Sequence, residues 1–234
     1  MRKIFSKKRG SWNFGGRVVP NFVNHINKSV PLYFQGHEII LRLSDFFLKN
    51  GSICYDLGSS TAELLIKLSK FSNKKVKFYG IDAEKDMISF SKKQIKKRKI
   101  KNIMIFKGDL KKIRLKKCDL ITSYYTIQFI APKYRQEVIN EIYRSLNWGG
   151  AFIFFEKIRG PDARFQDILS SLYNDFKASN GLSVQEISGK EKSIRGVLEP
   201  FSEKGNLGLL KRAGFEDITG ITQYLNFKGY LCIK

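Results

Sequence analysis

Cysteine is scarce in this 234-residue chain, and so are acids. Cys54, Cys118 and Cys232 form an odd, widely spaced set, each inside an apolar, strand-like run. That pattern excludes a disulfide framework or a zinc knuckle, and no metal ligand set is read. It suits small buried hydrophobes in a reducing cytoplasm. No run approaches the roughly 18 uninterrupted apolar residues of a membrane span, so no membrane partner is expected. No apolar stretch with a small-residue cleavage site opens the chain, so no signal peptide is read and a cytoplasmic location is expected. No internal repeat and no long low-complexity linker occurs. Asp and Glu number 21 against 43 Lys and Arg, a net charge of +22. Such an excess fits either a nucleic-acid partner or solvated lysine-rich faces.

The apolar share, 42%, is enough for one large core. The stretch Ser52 to Leu65 organises the rest. Ile53 to Leu57 reads as a buried strand, Gly58 as a sharp turn, and Ser59, Ser60 and Thr61 as helix N-cap types before Leu64, Leu65 and Leu68. Strand, glycine turn and helix together present free backbone N–H groups to a ligand's anionic end. The dinucleotide fingerprint G-x-G-x-x-G is incomplete, with Ala62 where a later glycine is expected, so no nicotinamide site is read. Val76 to Asp82 reads as the next strand, ending in an acid 24 residues after Gly58. Ribose-binding acids lie at roughly 20 residues in βαβ nucleoside sites. Asp82 is therefore either a ribose ligand or the cap of the helix that follows.

Strands are expected near 52–57, 75–81, 102–107, 117–124 and 150–156, with helices near 60–71, 84–98 and 133–146. Helices also fall at 21–29 and 36–48, separated by Pro31, and at 161–180, 184–195 and 202–212. Segments 215–223 and 224–233 close the chain as a strand pair. This alternation predicts an α/β fold with a doubly wound, mostly parallel sheet. Asn147-Trp148-Gly149-Gly150 is read as a helix stop. Residues 1–50 are read as an N-terminal arm and helical lid, the arm mobile at its start. Residues 51–234 are the ligand-binding domain, with a helical insertion at 161–195. The basic runs Lys92 to Lys101 and Lys111 to Lys117 lead into strands, at the sheet edge behind the ligand, while Arg2, Lys3, Lys7, Lys8 and Arg9 form a separate tail.

Apolar-Asp-apolar-Gly at Tyr55 to Gly58 resembles the first motif of class I S-adenosylmethionine (SAM) methyltransferases, and the closing strand pair resembles their seven-stranded sheet. Further segments narrow the likeness: Trp12-Asn13-Phe14, Lys28 to Tyr33, Tyr55 to Ser60, Thr126 to Ile130, Glu156-Lys157 and Asp175 to Gly181, all in matching order. From about Trp12 onward the chain resembles the carboxy-S-adenosylmethionine synthase family, which makes the carboxymethyl donor for tRNA wobble uridine. The resemblance implies SAM as cofactor. It implies Tyr33 near the methionine carboxylate or amine, Asp56, Gly58 and Ser59 in the methionine-end turn, and Asp82 on the ribose. Asp109 and Leu110 would lie by the adenine, and Tyr124 by the sulfonium, where the family has Asn. On the residues alone Gly108-Asp109 is equally a turn pair, and either Tyr124 or Tyr125 packs in the core.

One departure matters. The synthases hold their acidic co-substrate with an Arg, and Glu191 stands at that place here. A carboxylate repels a carboxylate, and Lys190, Lys192 and Arg195 are out of register. The expected function is SAM-dependent methyl transfer to a small-molecule acceptor. Tyr125 and Glu156 are the candidate bases, and Tyr173, Asp175 and Asn180 shape the acceptor pocket. His25 and His37 are read as structural or surface residues. The alternatives are the synthase itself, using prephenate, and a basic RNA-binding protein on a degenerate scaffold, with tRNA as partner. A homodimer through 161–195 is expected.

Overall fold

The computed structural model describes residues 8–234. Arg2, Lys3 and Lys7 of the basic tail lie outside them. Seven strands form one sheet: β1 (Ile53–Leu57), β2 (Lys77–Asp82), β3 (Ile103–Lys107), β4 (Cys118–Tyr124), β5 (Leu146–Lys157), β6 (Asp217–Tyr224) and β7 (Phe227–Ile233). Their order is β3-β2-β1-β4-β5-β7-β6. The first five run parallel, and β7 lies antiparallel between β5 and β6. Asp56 pairs with Gly80 on one side and Thr122 on the other. The chain winds outward from β1, then returns to place β4 on the opposite side. That reversal opens a crevice beyond the carboxyl ends of β1 and β4.

Side-chain alternation along the strands builds two cores. Cys54, Phe78, Leu120, Ile153 and Phe155 face α2 (Tyr33–Phe47), α3 (Glu63–Phe71) and α4 (Lys85–Lys97). Tyr55, Ile121, Phe152, Phe154 and Cys232 face α5 (Pro132–Ser145) and α8 (Glu203–Ala213). All three cysteines are free and buried. The remaining helices, α1 (Phe22–Ser29), α6 (Ala163–Ser179) and α7 (Val184–Ile194), gather over the crevice, and a 3-10 turn at Gly16–Asn21 packs against α1 and α4.

Three boundaries differ from the sequence reading. Helix α2 starts at Tyr33 because Leu32 takes the left-handed conformation (φ 52°) straight after the Pro31 turn. Helix α3 starts at Glu63, capped by left-handed Ala62 (φ 61°) with no side-chain bond, so Ser59, Ser60 and Thr61 are loop rather than cap. Strand β5 starts at Leu146, which is already extended, so Gly149-Gly150 lies inside the strand. The pairing with β4 shifts register there, and the Gly149 N–H bonds the Lys234 carbonyl. The run at Lys92 to Lys101 ends α4 and enters β3, away from the crevice, whereas Lys111 reaches its rim.

Candidate functional site

A cavity of about 650 Å³ fills the crevice. Its floor is the loop leaving β1. Gly58 holds φ 78°, and a Cβ there would lie 2.2 Å from Thr126 Oγ1, so the turn admits only glycine without rearrangement. The N–H groups of Gly58 and Ser59 both bond the Ile81 carbonyl, and Ser60 N–H bonds Asp82 Oδ2 at 2.8 Å. The donors expected to be free at Gly58 to Ser60 are therefore committed to β2. What the floor offers instead are side chains. Asp56 Oδ1 accepts from Thr122 Oγ1 at 2.7 Å. Burial raises the Asp56 carboxyl to about 7, opposed by Thr122 and reinforced by Asp82.

Asp82 closes β2 on the same cavity. Its two oxygens accept from Ser60 N–H and Glu84 N–H, both at 2.8 Å. Glu84, not Asp82, caps α4. A carboxylate oxygen keeps lone pairs beyond these bonds, so Asp82 can still accept from a ligand. Beyond β3, Asp109 and Leu110 line the wall, and Asp109 Oδ1 accepts from Lys111 N–H at 3.0 Å.

Tyr33, Tyr124 and Tyr125 form the middle. Strand alternation argues that only one of the last pair faces a ligand. The structure brings both to the cavity because β4 ends at Tyr124 and Tyr125 is left-handed (φ 59°). Their rings meet edge-on at 4.7 Å. Tyr124 Oη donates to the Tyr33 carbonyl at 2.6 Å, a reach opened by Gly36, whose Cβ would stand 2.2 Å from that oxygen. Burial pushes the phenols of Tyr33, Tyr124 and Tyr125 up from the usual range. Such burial favours the neutral phenol, which weighs against the role of base expected of Tyr125.

Glu156 does not line the cavity. Its neighbour Lys157 does, and alternation turns the Glu156 carboxylate under the 127–129 turn, toward Arg135. Burial raises its carboxyl well above the usual range, with Arg135 and the N–H groups of Ile127 and Gln128 opposing. Asp175 and Asn180 are exposed and off the wall, whereas Tyr173 is on it. His25 and His37, read as structural or surface residues, are wall residues. Burial brings both imidazoles down to about 3.

At the far end the sequence reading singled out Glu191 and weighed Lys190, but did not pick out Lys157 and Lys177. Lys157, Lys177 and Lys190 line it with Glu191, which reaches Arg195 at 3.2 Å. Helical spacing carried a signal: Tyr173 and Lys177 are i, i+4 on α6, and Ile187, Lys190, Glu191 and Ile194 share one face of α7. Burial brings the Lys157 amine down to about 8 and the Lys190 amine to about 7, with Lys177 the next cause in both. Ser59 Oγ and His37 Nδ1, buried on the wall, have no hydrogen-bond partner among the described residues. Buried polar atoms are rarely left so. Unpartnered polar atoms on an aromatic wall, acids at the ends of β1 and β2 and just after β3, and room for a nucleoside fit SAM.

The profile of the family described as "Methyltransferase domain" matches residues 48–205. A carboxy-S-adenosyl-L-methionine synthase from Staphylococcus epidermidis is 36% identical, over 95% of this chain and 97% of the relative. One from Sulfurimonas denitrificans is 33% identical over 99% of both chains. Among solved structures, a SAM-dependent methyltransferase from Aquifex aeolicus superposes with TM-score 0.61 at 18% identity, covering 92% of this chain and 97% of the other. A putative one from Methanococcus maripaludis gives TM-score 0.61 at 20% identity, covering 95% and 94%. These structural likenesses concern the fold.

Proposed function

We propose, from the premise that the chain belongs to the SAM-dependent methyltransferase family and to its carboxy-S-adenosyl-L-methionine synthase group, that this enzyme transfers the SAM methyl group to a small-molecule acceptor. The observation that carries this reading is the convergence of the Gly58 turn, Asp56 and Asp82 on one cavity. When bound, SAM supplies a methyl carbon made electrophilic by its sulfonium. Asp82 accepts from the ribose hydroxyls, and Asp109 and Leu110 hold the adenine side. Asp56, Ser59 and Tyr33 hold the methionine end, and Tyr124 flanks the sulfur. The aromatic wall keeps water away and fixes the acceptor in line, which is where most of the rate gain in such a displacement arises. Glu156 supports the 127–129 turn from beneath.

The choice of methyl over carboxyl chemistry rests on Tyr124 and Glu191, which stand where the family resemblance implies Asn and Arg. A second reading, synthase activity with prephenate, is favoured by Lys157, Lys177 and Lys190, which surround Glu191 with positive charge. Titration calorimetry with SAM tests the common premise: micromolar binding is expected, and no binding at millimolar ligand refutes it. The mass of the nucleoside recovered after incubation with SAM and prephenate then separates the two. An added carboxyl group supports the synthase, and unchanged SAM removes that reading.

No helix among the described residues is long and apolar enough to cross a membrane. We place the enzyme in the cytoplasm. We retain a lid before residue 51, to which Trp12, Phe14 and α1 contribute, although α2 packs into the sheet core through Ile40 and Leu41. Exposed Phe165, Ile168 and Leu172 on α6 support a homodimer through the inserted helices.

A further inference from the structure

The far end of the cavity gathers three amines from three elements. Lys157 and Lys177 share one ring, their Nζ atoms 4.2 and 4.3 Å from the Tyr173 ring centroid. The Tyr173 hydroxyl donates to the Ser29 carbonyl at 2.7 Å. Lys190 Nζ lies 3.1 Å from Ser29 Oγ and 2.9 Å from His25 Nε2.

The hydrogens decide what this amine is. Ser29 Oγ gives its own hydrogen to the His25 carbonyl at 2.9 Å, so it accepts from Lys190. His25 is uncharged, and in its Nδ1–H tautomer Nε2 also accepts. A neutral amine has two hydrogens for these two acceptors, and its lone pair is left for the cavity. An ammonium carries a third hydrogen, and the face of Trp12, its ring centroid 5.5 Å from Nζ, is the nearest π-cloud to receive it. Burial first, then Lys177 and Lys157, favour the neutral form and bring the amine to about 7. The titratable groups around it on the wall are His25 from α1, on which Lys28 also acts, Lys157 from β5, Tyr173 and Lys177 from α6, and Glu186 and Glu191 on its own helix. Only the last two oppose the trend. Glu191 is engaged with Arg195, and Glu186 with Ser183 in the capping box.

We propose that Lys190 is an imine-forming amine, and that this end of the cavity takes an oxo acid whose carboxylate rests on Lys157 and Lys177. The Nζ lone pair forms a bond to the carbonyl carbon, and the C=O π pair moves to oxygen, which takes up one of the two amine hydrogens. The nitrogen lone pair then closes C=N as that oxygen leaves, and the second amine hydrogen goes with it, so that the leaving group is water. Nothing is oxidised or reduced, and one water leaves for each imine formed. A desolvated lysine beside other cations is a recognised way to obtain a nucleophilic amine. An ordinary lysine, with a pKa of about 10.4, is less than about 0.1% neutral at pH 7.

The test is reductive trapping on the full chain at neutral pH, with pyruvate as probe and cyanoborohydride as reductant, mapped by peptide mass spectrometry. The expected result is one reduced pyruvyl group on Lys190, at least about tenfold above any exposed lysine. No adduct at Lys190, or an even spread over surface lysines, overturns the proposal. Lys190→Arg, shown to be folded by its thermal melt, should lose the dominant adduct. Lys157→Met with Lys177→Met should lower it at least about tenfold, and an unchanged yield there overturns the carboxylate seat. SAM calorimetry on the same protein keeps the readings apart: failure to bind SAM sinks the transferase reading, whereas failure to trap sinks only this one.

Discussion

Among single residues, Asp82 has the sharpest expectation. Both of its oxygens already brace the β1 loop and the start of α4. Asp82→Asn keeps an acceptor and removes the charge. It should weaken SAM binding by about 10- to 100-fold, the worth of a charged hydrogen bond at ~1.5–3 kcal/mol. Calorimetry checks this, and an unchanged affinity would remove Asp82 from the site. Asp56 makes a prediction about pH. Its folded pKa, about 7, lies above the unfolded value of about 3.9. The folded state therefore binds the extra proton between those values. Its contribution to stability is full below about pH 4 and is lost as pH rises through about 7. Asp56→Asn should flatten that decline in denaturant titrations across the same window. Glu156→Gln should change SAM affinity and turnover by less than about threefold, because the side chain points away from the cavity. The place of Asp82 on the cavity wall was legible from its spacing. The misplacement of Glu156 was a parity error, since one residue along a strand decides which face a side chain meets.

At the scale of elements, the β1–α3 loop is the sensitive part. Gly58→Ala puts a methyl group against Thr126 at a left-handed position. It should cost about 1–2 kcal/mol in backbone strain alone, and more as Thr126 moves, with SAM binding lost together with the melting temperature. Helix α7 is held at its start by the Ser183–Glu186 capping box. Ser183→Ala should cost about 1 kcal/mol. It should also loosen the wall carrying Lys190 and Glu191, seen as faster amide exchange confined to α7. The strand and helix alternation was readable because each element carries its own apolar period. The start of α3 was not. Serines and threonine advertise a cap, but the chain turns into the helix through the left-handed Ala62, and a backbone sign leaves no mark in composition.

For the whole molecule, charge is the dominant quantity. A net +22 repels itself. Raising salt from about 0.01 to 0.15 M cuts the Debye length from about 30 to 8 Å. If this recovers about 1–2 kcal/mol, the melting temperature should rise by roughly 3–6 °C in calorimetry. The lysine-rich end of the cavity escaped the sequence because its parts come from β5, α6, α7 and α1, and no local period links them. The sheet that joins them was legible, and their meeting was not. The tyrosine wall has a further consequence. Tyr33, Tyr124, Tyr125, Phe227 and Tyr173 form an unbroken chain of ring contacts, with centroids 4.7–5.7 Å apart. Rings locked in one asymmetric array absorb as a coupled set. The near-ultraviolet circular dichroism of the unlabelled protein should therefore change as the cavity fills, giving a built-in optical gauge of occupancy.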